Sequence, residues 1–311
     1  MSLPPPHEHH HPSDLARELG AERLAVAQKA AWVSIALNFL LTVSQIFVGW
    51  IAHSQALIAH GLHSFSDLLS DFLVLWANRQ GAHPADATHP YGHARIETAA
   101  TLALGISLAA VGVGILLTAG QQLTQMSEVP PVEWLALWVA ILTLAAKEAL
   151  FHYLKAVAER VRSAVMMANA WHTRADAASA LVVAVGIGGS LMGWPFLDLL
   201  AAAIVGFMIL KMGVGFAWEA IRELVDTGVP EQELAAIRAT LADTPGVVDL
   251  HDLRTRRMAQ RVLVDVHLQV DGDLSVRAGH EIGETARRRV LAAHPEVLDV
   301  LVHLDAENDA P

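Results

Sequence analysis

The segment "LHSFSDLLSDF", Leu62 to Phe72, places a histidine and two aspartates inside one of the most apolar parts of the chain. His63 and Asp67 are four residues apart, so a helix would present both on one face. Ionisable groups within a membrane helix are costly, and they usually face a bundle interior or a water-filled cavity that has a function. The segment therefore predicts a membrane helix that carries a functional site.

The composition places the whole chain among membrane proteins. Of its 311 residues, 53% are hydrophobic and 17% are charged, against about 25% charged in a soluble domain of average composition. Cysteine is absent, which excludes disulfides and means that any metal site must use His, Asp or Glu. The 17 histidines and the formal net charge of −11 favour cations as partners and disfavour nucleic acid.

Six segments have the roughly 20 mostly apolar residues that span a bilayer. They are Ala30–Ala52, Ser54–Asn78, Thr98–Leu123, Trp134–Tyr153, Ser163–Met192 and Phe196–Trp218. Of the segments outside the spans, only alternate ones contain lysine or arginine: those before the first span, after the second, after the fourth and after the sixth. By the positive-inside rule, this predicts a multi-pass protein with six transmembrane helices and both termini in the cytoplasm.

The chain divides into four parts by composition. We expect a disordered, histidine-rich tail at 1–25, a transmembrane domain at 26–226, a cytoplasmic domain at 227–306 and a short tail at 307–311. The third part alternates between helical and strand patterns in the order α-β-β-α-β, which predicts a small two-layer α+β domain. The cluster "HEHHH" at 7–11 either scavenges metal loosely or is simply solvated.

The fifth span repeats the arrangement of the second. In "NAWHTRAD", His172 stands four residues before Asp176. One His-x-x-x-Asp pair arises easily by chance, but two copies within membrane spans are much harder to dismiss. Two imidazoles and two carboxylates from two helices can supply four ligands to one ion, and such a set suits Zn²⁺.

Two further ionisable residues extend the polar stripe of the second span. Asp71 and His60 either line the route of an ion or pair with polar groups such as Lys147 and Glu148 of the fourth span. The residues alone leave both readings open.

At this point the sequence resembles the cation diffusion facilitator family, over nearly the whole chain after the N-terminal tail. The segments "HDLRTRR" and "VHLD" of the α+β part are specific to that family, and "PADATHPYGHARIE" is similar to its loop after the second span. The resemblance implies a ferredoxin-like, metallochaperone-like cytoplasmic domain and a homodimer. The transport site that it implies consists of His63, Asp67, His172 and Asp176.

The resemblance implies further sites. A second metal would bind in the loop at Asp86, His89 and His93. The cytoplasmic domain would bind metal at the dimer interface through His251, His267, His280, His303 and Asp305. A charge interlock would join Arg95, at the base of the third span, to Asp226, after the sixth.

The implied function is efflux of a divalent cation, first Zn²⁺, by exchange with protons across the inner membrane. Protons and metal compete for His and Asp ligands, and histidine changes its charge near neutral pH. Cd²⁺, Co²⁺, Fe²⁺ and Mn²⁺ are alternatives within the family. Similarity of the fifth span to the branch of magnetosome iron transporters favours Fe²⁺, whereas the intact His-Asp-His-Asp quartet weakens that reading.

Three rival functions differ in class. An intramembrane metalloenzyme needs three protein ligands, an open position for water and usually a glutamate base, but the quartet would close the coordination sphere and no His-Glu-x-x-His motif occurs. We therefore expect no enzyme. A metal sensor or assembly protein that does not transport would leave the membrane quartet unexplained. A passive channel would carry a flux that a proton gradient leaves unaffected.

Overall fold

The computed structural model of the protein describes residues 12–81, 83, 86–125, 130–161, 164–258 and 261–307. The histidine cluster at 7–11 lies outside them. The elements within this part are α1 (Pro12–Ile51), α2 (Gln55–Gly81), α3 (Arg95–Thr124), α4 (Trp134–Val161), α5 (Ala164–Leu191), α6 (Phe196–Leu224), α7 (Glu231–Ala242), β1 (Asp249–Met258), β2 (Arg261–Val270), α8 (Val276–Ala293) and β3 (Val297–Ala306).

The first six helices form a helical membrane domain. Among the described residues, five helices are long and apolar enough to cross a bilayer: α3, α4, α5, α6 and the Gln28–Ile51 part of α1. With 27 residues, α2 is similarly long, but its histidines and aspartates make it less apolar. The prediction of a helical membrane domain is confirmed, and the crossing of the bilayer by α2 stays a prediction.

The chain folds into two compact units. One contains the residues up to Asp71 together with Leu108–Met212, and the other contains Phe72–Ser107 together with the residues from Gly213 onwards. The division runs through α2, α3 and α6. The first unit therefore holds most of the membrane helices. The second holds the α+β domain, the adjoining ends of those three helices and the loop between α2 and α3.

Small residues allow the helices of the first unit to approach closely. A Cβ atom added to Gly112 of α3 would lie 2.6 Å from the backbone nitrogen of Leu210 in α6. One added to Gly186 of α5 would lie 2.5 Å from the Cβ of Ala201, also in α6. Contacts this short do not occur, so a larger side chain would push the helices apart. Small residues at helix contacts are typical of membrane bundles.

An apolar cluster joins α1, α4 and α5. Its buried members are Ala30, Leu150, Phe151, Leu154, Val157 and Ala170. This packing fixes α4 beside α5 and so determines which side chains of α4 can reach the ionisable residues of α5.

The α+β domain is a three-stranded sheet with helices packed on one face. The strand order is β1-β2-β3, with β1 antiparallel and β3 parallel to β2. Buried residues of β2 pack with buried residues of both helices in one core that includes Ile237, Leu241, Val264, Val266, Leu268, Ala286 and Val290. The predicted order α-β-β-α-β is confirmed. Because successive residues of a strand point to opposite faces, the odd-numbered residues of β2 lie on the face away from the helices.

Candidate metal centres

The first cluster lies among the membrane helices. His63 and Asp67 follow one another on a face of α2, and Asp176 lies on α5. One ligand atom from each of the three residues falls within 4.8 Å of the other two. His63 and Asp176 are buried and Asp67 is half-buried. One imidazole nitrogen and two carboxylate groups therefore converge from two helices.

Two atoms of this cluster are buried without a hydrogen-bond partner among the described residues, namely His63 Nδ1 and Asp67 Oδ2. A buried polar atom that is left unsatisfied costs about 1–3 kcal/mol, and more when the group is charged. Asp67 Oδ2 has lone pairs, and so does His63 Nδ1 in the tautomer that is protonated at Nε2, so a cation would satisfy both atoms. Asp67 and Asp176 also line a cavity of about 140 Å³.

His172 stands apart from the three converging residues. Its side chain is exposed, and it lines the same cavity as Asp67 and Asp176. It is not in the group whose ligand atoms lie within 4.8 Å of one another. The structure therefore brings together three of the four residues predicted for the transport site and leaves the fourth on the wall of the cavity.

A lysine that was not predicted as a site residue completes the membrane cluster. Lys147 of α4 is 1% exposed, and its Nζ donates to Asp176 Oδ2 at 2.9 Å. The sequence signal is a lysine within an apolar span, which the sequence suggests as a partner for Asp71 or His60. In the structure Lys147 pairs with Asp176, and His60 instead contacts Gln45 and Ser179. The side chain of Asp71 lies outside the described part of the chain.

His60 belongs to a buried polar network next to the cluster. Its Nδ1 lies 2.8 Å from Gln45 Oε1 of α1, and its Nε2 lies 3.1 Å from Ser179 Oγ of α5. Gln45 in turn donates to Thr143 Oγ1 of α4 at 3.2 Å. Since both ring nitrogens of His60 are engaged, this residue ties α2 to its neighbours and has no free nitrogen for a metal ion. Glu148, the other suggested partner, lies 3.3 Å from His152 of its own helix.

A second cluster lies in the loop between α2 and α3. Ligand atoms of Asp86, His89 and His93 lie within 4.8 Å of one another. Asp86 Oδ1 accepts hydrogen bonds from the Thr88 hydroxyl at 2.8 Å and from the His89 backbone nitrogen at 2.6 Å. These bonds lower the pKa of Asp86 below its usual range, so its carboxylate stays ionised well into acid. His93 Nδ1 is buried with no hydrogen-bond partner among the described residues.

A third cluster lies on the face of the sheet that is away from the helices. His251, His267 and His303 form a row across β1, β2 and β3, because the register pairs His251 with His267 and His267 with His303. Asp305 stands next to them. Its Oδ2 lies 2.9 Å from His267 Nδ1 and 3.3 Å from His251 Nε2, and its Oδ1 lies 3.2 Å from His303 Nε2.

A β-bulge in β1 accompanies this row. The pairing with β2 shifts between His251 and Arg254, and Asp252 between them has a φ of 48°. A non-glycine residue rarely adopts this left-handed conformation. Bulges re-aim neighbouring side chains and often occur beside functional sites. The bulge begins at His251 and therefore influences how this residue is placed in the histidine row.

His280 does not join the row within one chain. It is exposed on α8, the helix whose Ala286 and Val290 share a core with the even-numbered residues of β2. His267, the predicted ligand on β2, lies on the opposite face of the sheet. A single copy of the chain brings ligand atoms of His251, His267 and Asp305 within 4.8 Å of one another. His303 contacts the other oxygen of Asp305 at 3.2 Å, and His280 lies apart.

Arg95 and Asp226 are in contact. Arg95 Nη2 donates to Asp226 Oδ1 at 2.5 Å, and Thr98 of the same helix donates to Glu223. Asp226 has a φ of 60° and follows the end of α6. The backbone nitrogen of Asp226 bonds to the carbonyl of Glu223, and that of Thr227 bonds to the carbonyl of Arg222. This is a Schellman motif, in which glycine usually occupies the left-handed position.

A bundle of apolar helices that gathers imidazole and carboxylate groups, followed by an α+β domain with a second such group, defines a multi-pass membrane protein that handles cations. Residues 31–225 match the cation efflux transmembrane domain, and residues 229–307 match the cytoplasmic domain of cation efflux proteins. The chain belongs to the cation diffusion facilitator family of metal transporters, which are not enzymes.

Several relatives are similar over most of this chain. Metal tolerance protein C1 of Arabidopsis thaliana is 39% identical over 85% of this chain and 59% of its own length, so our chain spans less than two thirds of that relative. Metal tolerance protein 2 of rice (Oryza sativa subsp. japonica) is 33% identical over 95% of this chain and 82% of its own length. The manganese efflux system protein MneP of Bacillus subtilis is 28% identical over 92% and 98%, respectively.

Among solved structures, the metal-bound C-terminal domain of the CzcD transporter from Thermotoga maritima aligns with part of this chain. It is 27% identical, and the alignment covers 27% of this chain and 100% of that domain, with a TM-score of 0.25.

Proposed function

We propose that this chain exports a divalent cation, with Zn²⁺ as the first candidate, in exchange for protons across the inner membrane. The observation that carries the proposal is the convergence of His63, Asp67 and Asp176, whose ligand atoms lie within 4.8 Å of one another. The unpartnered atoms of His63 and Asp67 support it, because a cation is the chemical partner that both lack.

His172 would complete the coordination sphere. It lines the cavity beside Asp67 and Asp176, and it lies one helical turn before Asp176. Four ligands with two nitrogens and two oxygens are a donor set that tetrahedral Zn²⁺ accepts. In this proposal His172 turns toward the ion when the ion binds.

Proton coupling follows from the ligands. A carboxylate must be ionised and an imidazole neutral to bind a metal ion, so protons and metal exclude each other from one site. An acidic exterior would load the site with protons and expel the ion, and the cytoplasm would reverse both steps. Rocking of helices about a site between them would give access from each side in turn.

The exposed clusters would bind the same ion as a regulator. Asp86, His89 and His93 would form the loop site, and the histidine row with Asp305 would form the site of the α+β domain. His280 lies off that row within one chain, which agrees with a ligand supplied by a second copy in a homodimer. Binding at such an interface would shift the population of transporter conformations.

Mn²⁺ is the second candidate, and the geometry of the membrane cluster favours it. The three converging residues offer one nitrogen and two carboxylates, and carboxylate-rich sites suit Mn²⁺. MneP of Bacillus subtilis, a relative, is named as a manganese efflux protein. The role of His172 therefore decides between the two ions.

Transport by purified protein in proteoliposomes tests the proposal. Zn²⁺ and Mn²⁺ are supplied in separate arms, with and without a pH gradient, to wild type, Asp67→Asn and His172→Ala. Glu148→Gln is the matched control, because it removes a carboxylate of α4 that lies outside the cluster. We expect a zinc flux that the pH gradient accelerates, that Asp67→Asn abolishes and that the control retains.

Other outcomes identify the rivals. Zinc binding without flux would indicate a sensor, and a flux that the pH gradient leaves unaffected would indicate a channel. A manganese flux that exceeds the zinc flux and survives His172→Ala would favour the second candidate. Full zinc flux in Asp67→Asn would contradict the membrane site itself.

A further inference from the structure

The buried ion pair of Lys147 and Asp176 places the amino group of a lysine directly beside a proposed metal ligand. The ammonium of Lys147 donates to Asp176 Oδ2 at 2.9 Å, and the two side chains are 2% and 9% exposed. Asp176 also belongs to the group that converges with His63 and Asp67. One carboxylate therefore faces both a lysine of α4 and the ligands of α2.

A metal ion and the ammonium would compete for this carboxylate. Zinc binds a carboxylate oxygen at about 2.0–2.2 Å. Two cations that share one carboxylate repel each other, and the repulsion is strong where water does not screen it. Full coordination of the ion by Asp176 therefore requires the ammonium to move away.

The cavity offers the ammonium a second position. Asn38 Oδ1 of α1 and Ser64 Oγ of α2 are buried and have no hydrogen-bond partner among the described residues. Both residues line the cavity that Lys147 also lines. An ammonium has three donors and a flexible stem, so these two oxygen atoms are suitable acceptors for it after it leaves Asp176.

We propose that Lys147 is a tethered cation that competes with the substrate ion for Asp176, an inference that rests on the proposed transport site. The ion first engages His63 and Asp67, whose atoms are free, and then displaces the ammonium from Asp176 toward Asn38 and Ser64. When the ion leaves, the ammonium returns and keeps a buried carboxylate paired, which spares the cost of an uncompensated charge.

Two properties follow from this competition. Binding is weaker than three ligands alone would give, which favours release of the ion. A monovalent cation gains no more from Asp176 than the ammonium already provides, so the lysine selects for divalent ions. Lys147 thus acts as a specificity-determining residue rather than as a metal ligand.

Zinc binding by the full-length protein in nanodiscs tests the inference, with a fluorescent chelator as competitor at constant pH. Every variant is made in a chain that also carries His89→Ala and His267→Ala, which remove a ligand from each exposed cluster, and this chain serves as the wild-type reference. Lys147→Met removes the charge and keeps a similar apolar stem. Lys211→Met is the matched control, since it removes an exposed lysine from a membrane helix. We expect Lys147→Met to bind zinc about tenfold more tightly or better and to turn over more slowly at saturating zinc, while the control leaves both unchanged.

Asp176→Asn separates the two ways of failing. If the Asp176→Asn variant binds zinc as tightly as the wild-type reference, the transport site itself is wrong. If binding depends on Asp176 but Lys147→Met leaves the affinity unchanged or weakens it, only the tethered cation is wrong.

If Lys147→Met is less stable than the wild-type protein, the rise in Tm that zinc produces still reports its zinc affinity. A ligand that binds the folded state raises Tm by an amount that grows with its affinity. We expect zinc to raise the Tm of Lys147→Met more than that of the wild-type protein. An equal or smaller rise would overturn the inference. The double variant Lys147→Met with Asp176→Asn removes both charges and should show no such rise.

Discussion

Asp198, in the first turn of α6, binds the beginning of α2 through three hydrogen bonds. Its Oδ1 accepts from Ser54 Oγ at 2.6 Å, and its Oδ2 accepts from the backbone nitrogens of Gln55 at 2.8 Å and Ala56 at 3.3 Å. These nitrogens have no partner within their own helix, and a negative charge at a helix N-terminus is favourable. The helix that carries His63 is therefore fixed to α6 at its first turn.

Removal of this carboxylate should loosen the start of α2. We expect Asp198→Asn to lower stability by about 2 kcal/mol, because an amide group cannot accept all three bonds and lacks the charge. Ser54→Ala is the matched variant and should cost about 1 kcal/mol, since it removes one donor. Thermal unfolding and hydrogen exchange at Gln55 and Ala56 check both values. Equal effects of the two substitutions would contradict the capping role.

Asp226 should reveal whether its ion pair serves function or stability. Asp226→Gly relieves the strain of a left-handed backbone at a residue with a Cβ atom, which should stabilise the fold by about 1 kcal/mol. The same substitution removes the half-exposed ion pair with Arg95, which should cost about as much, so the net change in stability should be small. Asp226→Ala also removes the ion pair but keeps a Cβ atom and therefore the backbone strain, so it should be less stable than Asp226→Gly. Tm measurements compare the two.

If the pair with Arg95 works as a charge interlock, Asp226→Gly should reduce zinc flux in proteoliposomes at unchanged Tm. Full flux in this variant would assign the pair a structural role alone.

The loop carboxylate Asp86 should titrate below its usual value of 3.8. The hydrogen bonds that the Asp86 carboxylate accepts in the folded protein lower its pKa. The stabilisation from these bonds is therefore fully present at a pH above the unfolded-state pKa, and it is lost as the pH falls through the lower pKa of the folded state. Thr88→Val removes the largest cause and should raise the pKa, whereas Thr88→Ser keeps the hydroxyl. Titration of the ¹³C carboxyl signal of Asp86 with chelator present measures the change. Identical curves for the two variants would contradict this origin of the shift.

The histidine row should account for zinc bound outside the membrane domain. We expect His267→Ala to lower the zinc content per chain, because His267 is the central member of the row and lies 2.9 Å from Asp305. His152→Ala, on an exposed face of α4, is the control. Equilibrium dialysis with elemental analysis gives the zinc content. An unchanged content in His267→Ala would contradict the proposed site.

His280 distinguishes a site within one chain from a site between two. Because it lies off the row in one copy, His280→Ala should weaken zinc binding only at protein concentrations where the chain dimerises. Zinc content measured across a dilution series, beside molar mass from light scattering, checks this dependence. An equal loss in monomer and dimer would contradict a shared ligand.

The spacing of residues along the sequence predicted much of the fold and part of the candidate metal site in the membrane domain. The positions of His63 and Asp67 predicted a shared helix face, and the alternation in "RVLVDVHLQV" predicted a strand. Both patterns depend on the geometry of a single element, which the sequence expresses directly. The order of helices and strands in the α+β domain followed from the same patterns.

Relations between elements were not predictable in the same way. Which carboxylate Lys147 would meet depended on the packing of α4 against α5, and no spacing within α4 contains that information. The bulge at Asp252 arises from the pairing of two strands, and its left-handed backbone leaves no pattern in β1 alone. The position of His172 depends on how α5 is rotated about its axis relative to its neighbours, and the residue spacing within α5 does not contain that information.

Direct observation of zinc in the membrane domain tests the central claim most directly. Anomalous diffraction at the zinc edge, from zinc-loaded full-length crystals of the His89→Ala, His267→Ala double variant, isolates the membrane site from the two exposed clusters. The account predicts one zinc peak within bonding distance of His63, Asp67 and Asp176. No peak among these three residues at saturating zinc would contradict it.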